Sequence, residues 1–291
     1  MEHIYRLAAS GWIPKRIILG KTPGISNLPA RSGHLSIEIV THCWNYADFL
    51  KFQLSSLVLY PPTKLSVRMT VFHSPEDPRT VELLEFFGRQ QVPNVIWNWV
   101  ALDKHFLFRR AIGRNRAALA TEADWVWFTD CDVVFHEGCL DHLADQLQGR
   151  DEVLLYPRVV GCSQLQDENH NFLRAVAGAP TIVDIDPANF VPITLRRAVG
   201  YLQITHGDAA RKLGYCNSIP YYQRPVVRWQ KTYEDRVFRW LLGSQGRPID
   251  VPALYRIEHA RKGRDDGNWK NPVLRWTSHL LRRQRRWLAE R

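Results

Sequence analysis

Between residues 35 and 135 the hydrophobic positions switch repeatedly between two periods. LSIEIVTHCW (35–44) and LSVRMTVFH (65–73) are short, β-branched-rich apolar runs without helical spacing. YADFLKFQLSSLVLY (46–60) instead repeats apolar residues every three to four positions until Pro61-Pro62 stops it. The unit recurs: Ser74-Pro75-Glu76-Asp77 is a helix-start signal for TVELLEFFGRQ (80–90), and VIWNWVAL (95–102) reads as a third strand. AIGRNRAALATEA (111–123) is helix-like, and DWVWFTDCDVVF (124–135) is predicted as a single hydrophobic strand with two aspartates at its exit. Alternating β and α elements predict an α/β sheet with helices on both faces and chemistry carried on loops at the strand ends. Beyond about residue 150 the pattern loosens into shorter strands and Pro-rich loops. This divides the chain into an N-terminal extension (1–34), a first α/β half (35–150), a more variable half facing substrate (151–260) and a basic tail (261–291).

Composition narrows the class. With 291 residues, 45% of them hydrophobic, the chain can bury a full core. It contains no apolar run of membrane-spanning length and no secretory-signal pattern at its start, so a cytoplasmic location is expected. The five cysteines include no C-x-x-C pair, which fits neither a disulfide framework nor a zinc ribbon. The formal charge of +10 is concentrated at the end of the chain. In PVLRWTSHLLRRQRRWLAER (272–291), Val273/Leu274, Leu280/Leu281 and Trp287/Leu288 share one helical side with Trp276, and Arg275, Arg282, Arg285 and Arg286 take the other. Such an amphipathic basic helix suits peripheral attachment to an anionic membrane surface, although a helix docked on its own domain has the same pattern. No zinc-finger or RNP-like spacing accompanies it, so no nucleic-acid partner is expected.

Several motifs are incomplete. Gly20-Lys21-Thr22 lacks the first glycine of a phosphate-binding loop, because Lys15 stands there. His136-Glu137 lacks the second histidine of a zincin, because Leu140 stands there. The acidic pair is more informative. On an extended strand end Asp130 and Asp132 would point the same way, with Cys131 turned away, and two adjacent carboxylates call for a cation. Their hard oxygens suit Mn²⁺ or Mg²⁺. Arg114-Asn115-Arg116, earlier in the chain, could meet the phosphates such an ion attracts.

In these features the sequence resembles the GT-A glycosyltransferases, and among them the family-2-like enzymes. EIVTHCWNYADFL is similar to the opening strand, aromatic-Asn turn and helix start of that family, and GRNRA (113–117) to its "ARN" helix start. WVWFTDCDVVF is similar to its strand ending in D-x-D, GYLQITHGDAARKLGYCNSI to the segment before its acceptor site, and Tyr233-Glu234-Asp235-Arg236 to its "ED" helix start. The resemblance implies a GT-A fold, here with a C-terminal amphipathic helix, and a metal-dependent transfer of sugar from a nucleotide-sugar donor to a hydroxyl of a glycan or lipid-linked acceptor, inverting by the placement of "ED". It implies donor-side roles for His42, Trp44, Asn45, Arg114, Asn115 and Asp130, and metal ligation by Asp132, Asp130 and His259. Asp235, or failing that Glu234, would be the catalytic base. In IPYYQRPVVRW, where the chain departs from the family pattern, Tyr221, Tyr222 and Trp229 offer sugar-stacking faces for an acceptor, and the same segment reads equally as a packed lid. Asp132→Ala is then expected to remove metal-dependent activity and leave the fold intact. Phe72-His73-Ser74 stands where the family has a base-reading acidic motif, which leaves the nucleotide open.

Two other readings share the residues. A HAD-type phosphatase would use Asp130 as nucleophile, Asp132 as general acid and Asp265-Asp266 as its late acidic pair. Such nucleophiles usually end the first strand of the domain, whereas here an α/β stretch precedes Asp130. A non-catalytic protein docking on membrane or nucleic acid would use the tail alone.

Overall fold

The computed structural model describes residues 2–13, 17, 27–164, 178–229 and 232–259. The basic tail, Asp265-Asp266 and Lys15–Lys21 with its partial phosphate-loop pattern fall wholly or mainly outside them. The alternation predicted from sequence is present: β1 (Leu35–Cys43), α2 (Ala47–Leu59), β2 (Leu65–His73), α3 (Pro78–Gly88) and β3 (Val95–Ala101) follow one another. A short α4 (Lys104–Leu107) and α5 (Arg110–Ala120) lead into β4 (Trp125–Phe128). At the N-terminus α1 (Glu2–Leu7) continues as a π-helical turn, Ala8–Trp12, against the helix Glu234–Leu242.

The stretch 124–135, expected as one strand, is two. Residues 129–132 form a turn, after which β5 (Val133–Phe135) leaves for a second sheet. The main sheet then gains β6 (Leu154–Pro157), β9 (Gln203–His206) and β10 (Arg247–Ile249). The second sheet contains β5, β7 (Val159–Ser163), β8 (Phe190–Thr194) and β11 (Leu254–Arg256). In the seven-stranded order β10-β6-β9-β4-β1-β2-β3, β1 pairs in parallel with both β2 and β4, while β9 runs antiparallel between β4 and β6. The chain lays β2 and β3 outward on one side of β1 and returns to set β4 on the other. The C-terminal ends of β1 and β4 therefore flank the point where strand order reverses, which is where open α/β sheets present ligand sites.

The core explains why the central strands read as continuous apolar runs. Ile37, Ile39, Trp125 and Trp127 are fully or almost fully buried with Phe49, Phe52 and Leu57 of α2 on one face, while Val40, Val126 and Phe128 pack on the other with Tyr215, Tyr222 and Phe238. Covering both faces removes the polar alternation of a half-exposed strand. The remaining helices, α6 (Cys139–Leu147), α7 (Gly207–Leu213) and α8 (Glu234–Leu242), complete the layers. All five cysteines are buried and unbridged, in keeping with the absence of a disulfide framework from their spacing.

Candidate active site

Three loops converge at the ends of β1 and β4. After β1, Asn45 adopts a left-handed backbone conformation (φ 57°), which asparagine tolerates better than most residues. Its N–H donates to Asp77 Oδ2 at 2.6 Å, and Asp77 is the N-cap of α3, so the Trp44-Asn45 turn is tied to the helix start marked by 74–77. The ring of Trp44 meets Phe108 edge-on at 5.5 Å, and its Nε1 is buried without a partner among the described residues.

After β4, the turn at 129–132 carries both aspartates. Gln53, in the middle of α2 and fully buried, donates to the carbonyls of Asp130 and Val133, each at 3.0 Å. Thr129 N–H donates to Val40 O, and Ile257 N–H donates to Asp132 O. The turn is thus held from three sides. Because the backbone turns here, the two carboxylates do not share partners as an extended strand would have them do. Arg110 Nη1 approaches Asp130 Oδ1 at 2.6 Å and Arg114 Nη2 approaches the same oxygen at 3.3 Å. Asp132 instead faces Arg256 Nε at 3.2 Å and His259 Nε2 at 3.5 Å, both through Oδ2.

Asp132 is only 2% exposed and ion-paired, which argues against the expectation that its removal leaves the fold intact. Burial alone would raise its pKa. The Arg256 guanidinium and the hydrogen bond from His259 outweigh that and hold the carboxyl below its ordinary value. Arg256 is itself buried and lies 4.1 Å over the Tyr201 ring. Burial favours its neutral form, but the attraction of Asp132 wins and keeps it firmly charged.

The third loop is the start of α8. Glu234 is 1% exposed, and neither carboxylate oxygen has a hydrogen-bond partner among the described residues, although Arg110 Nε lies 3.5 Å from Oε1. Burial pushes its pKa up, against the pull of Arg110 and Arg114. The neighbouring Asp235 keeps 29% of its side chain exposed, with Arg239 Nη1 3.4 Å from Oδ2. Arg110 therefore bridges the D-x-D turn and the Glu234-Asp235 pair, two sequence signals far apart in the chain. Arg110 is partly shielded from water, and the attraction of Asp130 and Glu234 outweighs that desolvation and holds it charged.

Other expected residues are placed less openly. Arg114 is fully buried and donates to Tyr215 Oη at 3.0 Å and to Thr129 O at 3.2 Å, so it braces the turn as well as facing Asp130. Asn115 accepts from Tyr215 N–H at 2.9 Å and donates to Asn217 Oδ1 at 3.1 Å, fastening α5 to the segment after α7. His42 stacks on Phe72 at 5.0 Å with both ring nitrogens buried, and burial followed by repulsion from Arg114 and Arg110 pushes its pKa well below the ordinary value. A Cβ on Gly113 would fall 2.2 Å from His42 Nε2, so only glycine lets α5 lie this close to β1.

Tyr222, expected to stack on a sugar, is completely buried and packs against Tyr5 and Tyr221. In this arrangement its ring is core rather than open surface. Tyr221 and Trp229 remain partly accessible. Sequence reasoning missed Gln53, Arg109, Arg110 and Arg256. A signal existed for the Arg109-Arg110 pair: two cations at a helix start oppose the helix dipole and need a reason to be there. Gln53 stood as a polar residue among the apolar positions of 46–60, and nothing local marked Arg256.

The model of the family described as "Glycosyl transferase family 2" matches residues 39–219, more than half of the chain. The chain belongs to this family, and the matched span contains the turn after β1, the start of α5 and both aspartates of the D-x-D. This sets aside the phosphatase reading, which used the same aspartates within a different architecture. No curated protein matches the chain. Among solved structures, S. aureus TarS (residues 1–349) is similar at 14% identity over 77% of this chain, with a TM-score of 0.44. The mannosyltransferase PcManGT from Pyrobaculum calidifontis, in complex with GDP-Man and Mn²⁺, is similar at 17% identity over 96% of this chain and 72% of its own, with a TM-score of 0.44. The chain spans 58% of the length of the TarS structure.

Proposed function

We propose that this protein transfers a sugar from a nucleotide-sugar donor to a hydroxyl of a glycan or glycolipid of the cell envelope, with inversion at the anomeric carbon. The observation that carries this reading is the meeting of Asp130 and the Glu234-Asp235 pair across Arg110. In this reading the partly exposed carboxylate of Asp235 takes the proton of the attacking hydroxyl as the new C–O bond forms and the bond to the nucleoside diphosphate breaks. Glu234, sealed from solvent, instead holds Arg110 in place. Arg110 and Arg114 neutralise charge that builds on the departing pyrophosphate, which is the main electrostatic demand of glycosyl transfer. His42, Trp44, Asn45 and Asn115 form the donor-side wall, and Tyr221 with Trp229 the acceptor side.

A divalent cation fits the D-x-D turn. Asp132 Oδ1 is buried with no partner among the described residues, and the imidazole of His259 lies beside the other oxygen. Among the described residues no three His, Cys, Asp or Glu side chains form a metal-binding group. In this reading Asp132 and His259 would hold the ion, Asp130 would join them only on binding, and further positions would be left to phosphate oxygens and water, as Mn²⁺ and Mg²⁺ accept. When bound, the ion supplies positive charge to the pyrophosphate.

The reading is tested by a thermal-shift screen of UDP, GDP, CMP and dTDP with and without Mn²⁺. One nucleotide should raise the melting temperature in a Mn²⁺-dependent way, because a ligand that binds only the native state stabilises it. A flat response to all of them would overturn the donor site. No helix among the described residues is long and apolar enough to cross a membrane. Residues 272–291 are assigned to an anionic membrane surface on their sequence pattern. Their deletion should release the protein from phosphatidylglycerol-containing liposomes, and unchanged binding would remove the assignment.

A further inference from the structure

Arg109, immediately before α5, is only 3% exposed, and its Nε and Nη1 are buried with no hydrogen-bond partner among the described residues. Its guanidinium lies 4.9 Å over the ring of Tyr221. A permanently charged group shut away from water with two unmatched donors is costly, and folded proteins tolerate such a group where something else completes it.

The neighbouring groups do not complete it. Arg110 is engaged with Asp130 and Glu234, and Arg114 with Tyr215, Thr129 and Asp130. Glu234 Oε1 is approached by Arg110 Nε, and Arg109 acts on Glu234 only as a weaker charge. Asp130 and Glu234 face Arg110, Asp130 also faces Arg114, and Asp235 faces Arg239, so among the described residues no carboxylate is ion-paired with Arg109.

The surroundings point to the side of the site from which an anion would arrive. Tyr221 belongs to the short 3-10 turn Pro220–Gln223, which precedes a loop carrying the exposed Arg224 and Arg228. That loop docks on α4 through a hydrogen bond from Val226 N–H to His105 O at 3.0 Å, close to Arg109 in the chain. Arg224 and Arg228 add positive charge to the loop that follows Tyr221, and such charge attracts an anion that a guanidinium can then hold.

We propose that the acceptor carries an anionic group, phosphate or carboxylate, near its reacting hydroxyl, and that Arg109 receives it against the ring of Tyr221. This deepens the transferase reading and rests on it, since that reading places the donor on the Asp130 side and the acceptor on the Tyr221 side. Arg109 is a specificity residue: it contacts the acceptor and takes no part in bond making.

The test is calorimetric titration of inorganic phosphate, and in a parallel arm acetate, into the protein saturated with Mg²⁺ and the nucleoside diphosphate that stabilises it most. Phosphate or acetate should bind this loaded protein, and the stronger of the two identifies the group. Arg109→Gln should weaken that binding at least tenfold, and Arg109→Lys by less, because it keeps the charge and loses the planar fork. If phosphate and acetate fail to bind the loaded wild type, or bind only by displacing the nucleotide, the anionic subsite is wrong even though the donor site stands. Equal binding by wild type and Arg109→Gln overturns it as well. Failure of every nucleoside diphosphate to bind the wild type instead removes the transferase reading, and the acceptor assignment with it. Should Arg109→Gln not fold, the wild-type titration in the loaded state decides alone.

Discussion

Asp132→Ala should lower the stability of the folded protein by about 3–5 kcal/mol, the usual cost of removing one partner of a buried ion pair. The loss comes from what is left behind: Arg256 stays buried, with the Tyr201 ring at 4.1 Å and Glu258 Oε1 at 3.9 Å as its remaining support. Urea denaturation of wild type and variant measures it, and a change under about 1 kcal/mol would show that the pair is not buried as described. The acid limb gives a second reading. The folded pKa of Asp132 lies below its ordinary 3.8, so its contribution is fully present above that value and is lost as pH falls through the folded pKa. Wild type should therefore lose stability on acidification through this window more steeply than Asp132→Ala. The same variant should lose Mn²⁺-dependent stabilisation by nucleoside diphosphate. Activity measurements on it must be made well below its melting temperature, so that a missing ligand is not confused with a missing fold.

Asp235→Asn should reduce kcat by about 10²–10⁴-fold, the range over which a positioned general base contributes, with a far smaller change in nucleoside-diphosphate affinity. Its side chain is partly exposed at the start of α8, so an isosteric amide removes basicity without opening a cavity. The contact with Arg239 weakens and does not strand a buried charge, because Arg239 also donates to Gln245 Oε1 and to Ala198 O. Steady-state rates for the variant, set beside nucleoside-diphosphate binding by thermal shift, separate the two effects. Retention of more than a tenth of wild-type kcat would move the base away from Asp235.

The sequence-level boundaries were most reliable where one local signal sufficed. The strand at 65–73, the helix after 46 and the helix start at 74–77 each depend on periodicity, a proline or a cap within a few residues, and each is present in the fold. The stretch 124–135 shows the limit. Its hydrophobicity is continuous because both halves are buried, but β4 and β5 belong to different sheets, and the break at 129–132 is set by hydrogen bonds from Gln53 and Ile257, distant in sequence. Tyr222 shows another limit, since an aromatic residue in a loop gives no local sign of whether its ring faces solvent or the core.

By itself the sequence determined the alternating β and α elements, the position of the acidic turn at the end of a buried strand, and the family-like order of its motifs. Local periodicity and capping chemistry act over a few residues and can be read there. Tertiary structure alone decided which cation meets which carboxylate: Arg110 with Asp130 and Glu234, Arg256 and His259 with Asp132, and Arg109 with no carboxylate hydrogen-bonded to it among the described residues. Those pairings follow from strand order and from the turn between β4 and β5. Electrostatic partners are chosen by distance in space, and in this fold that distance is fixed by strands and helices contributed from opposite ends of the chain.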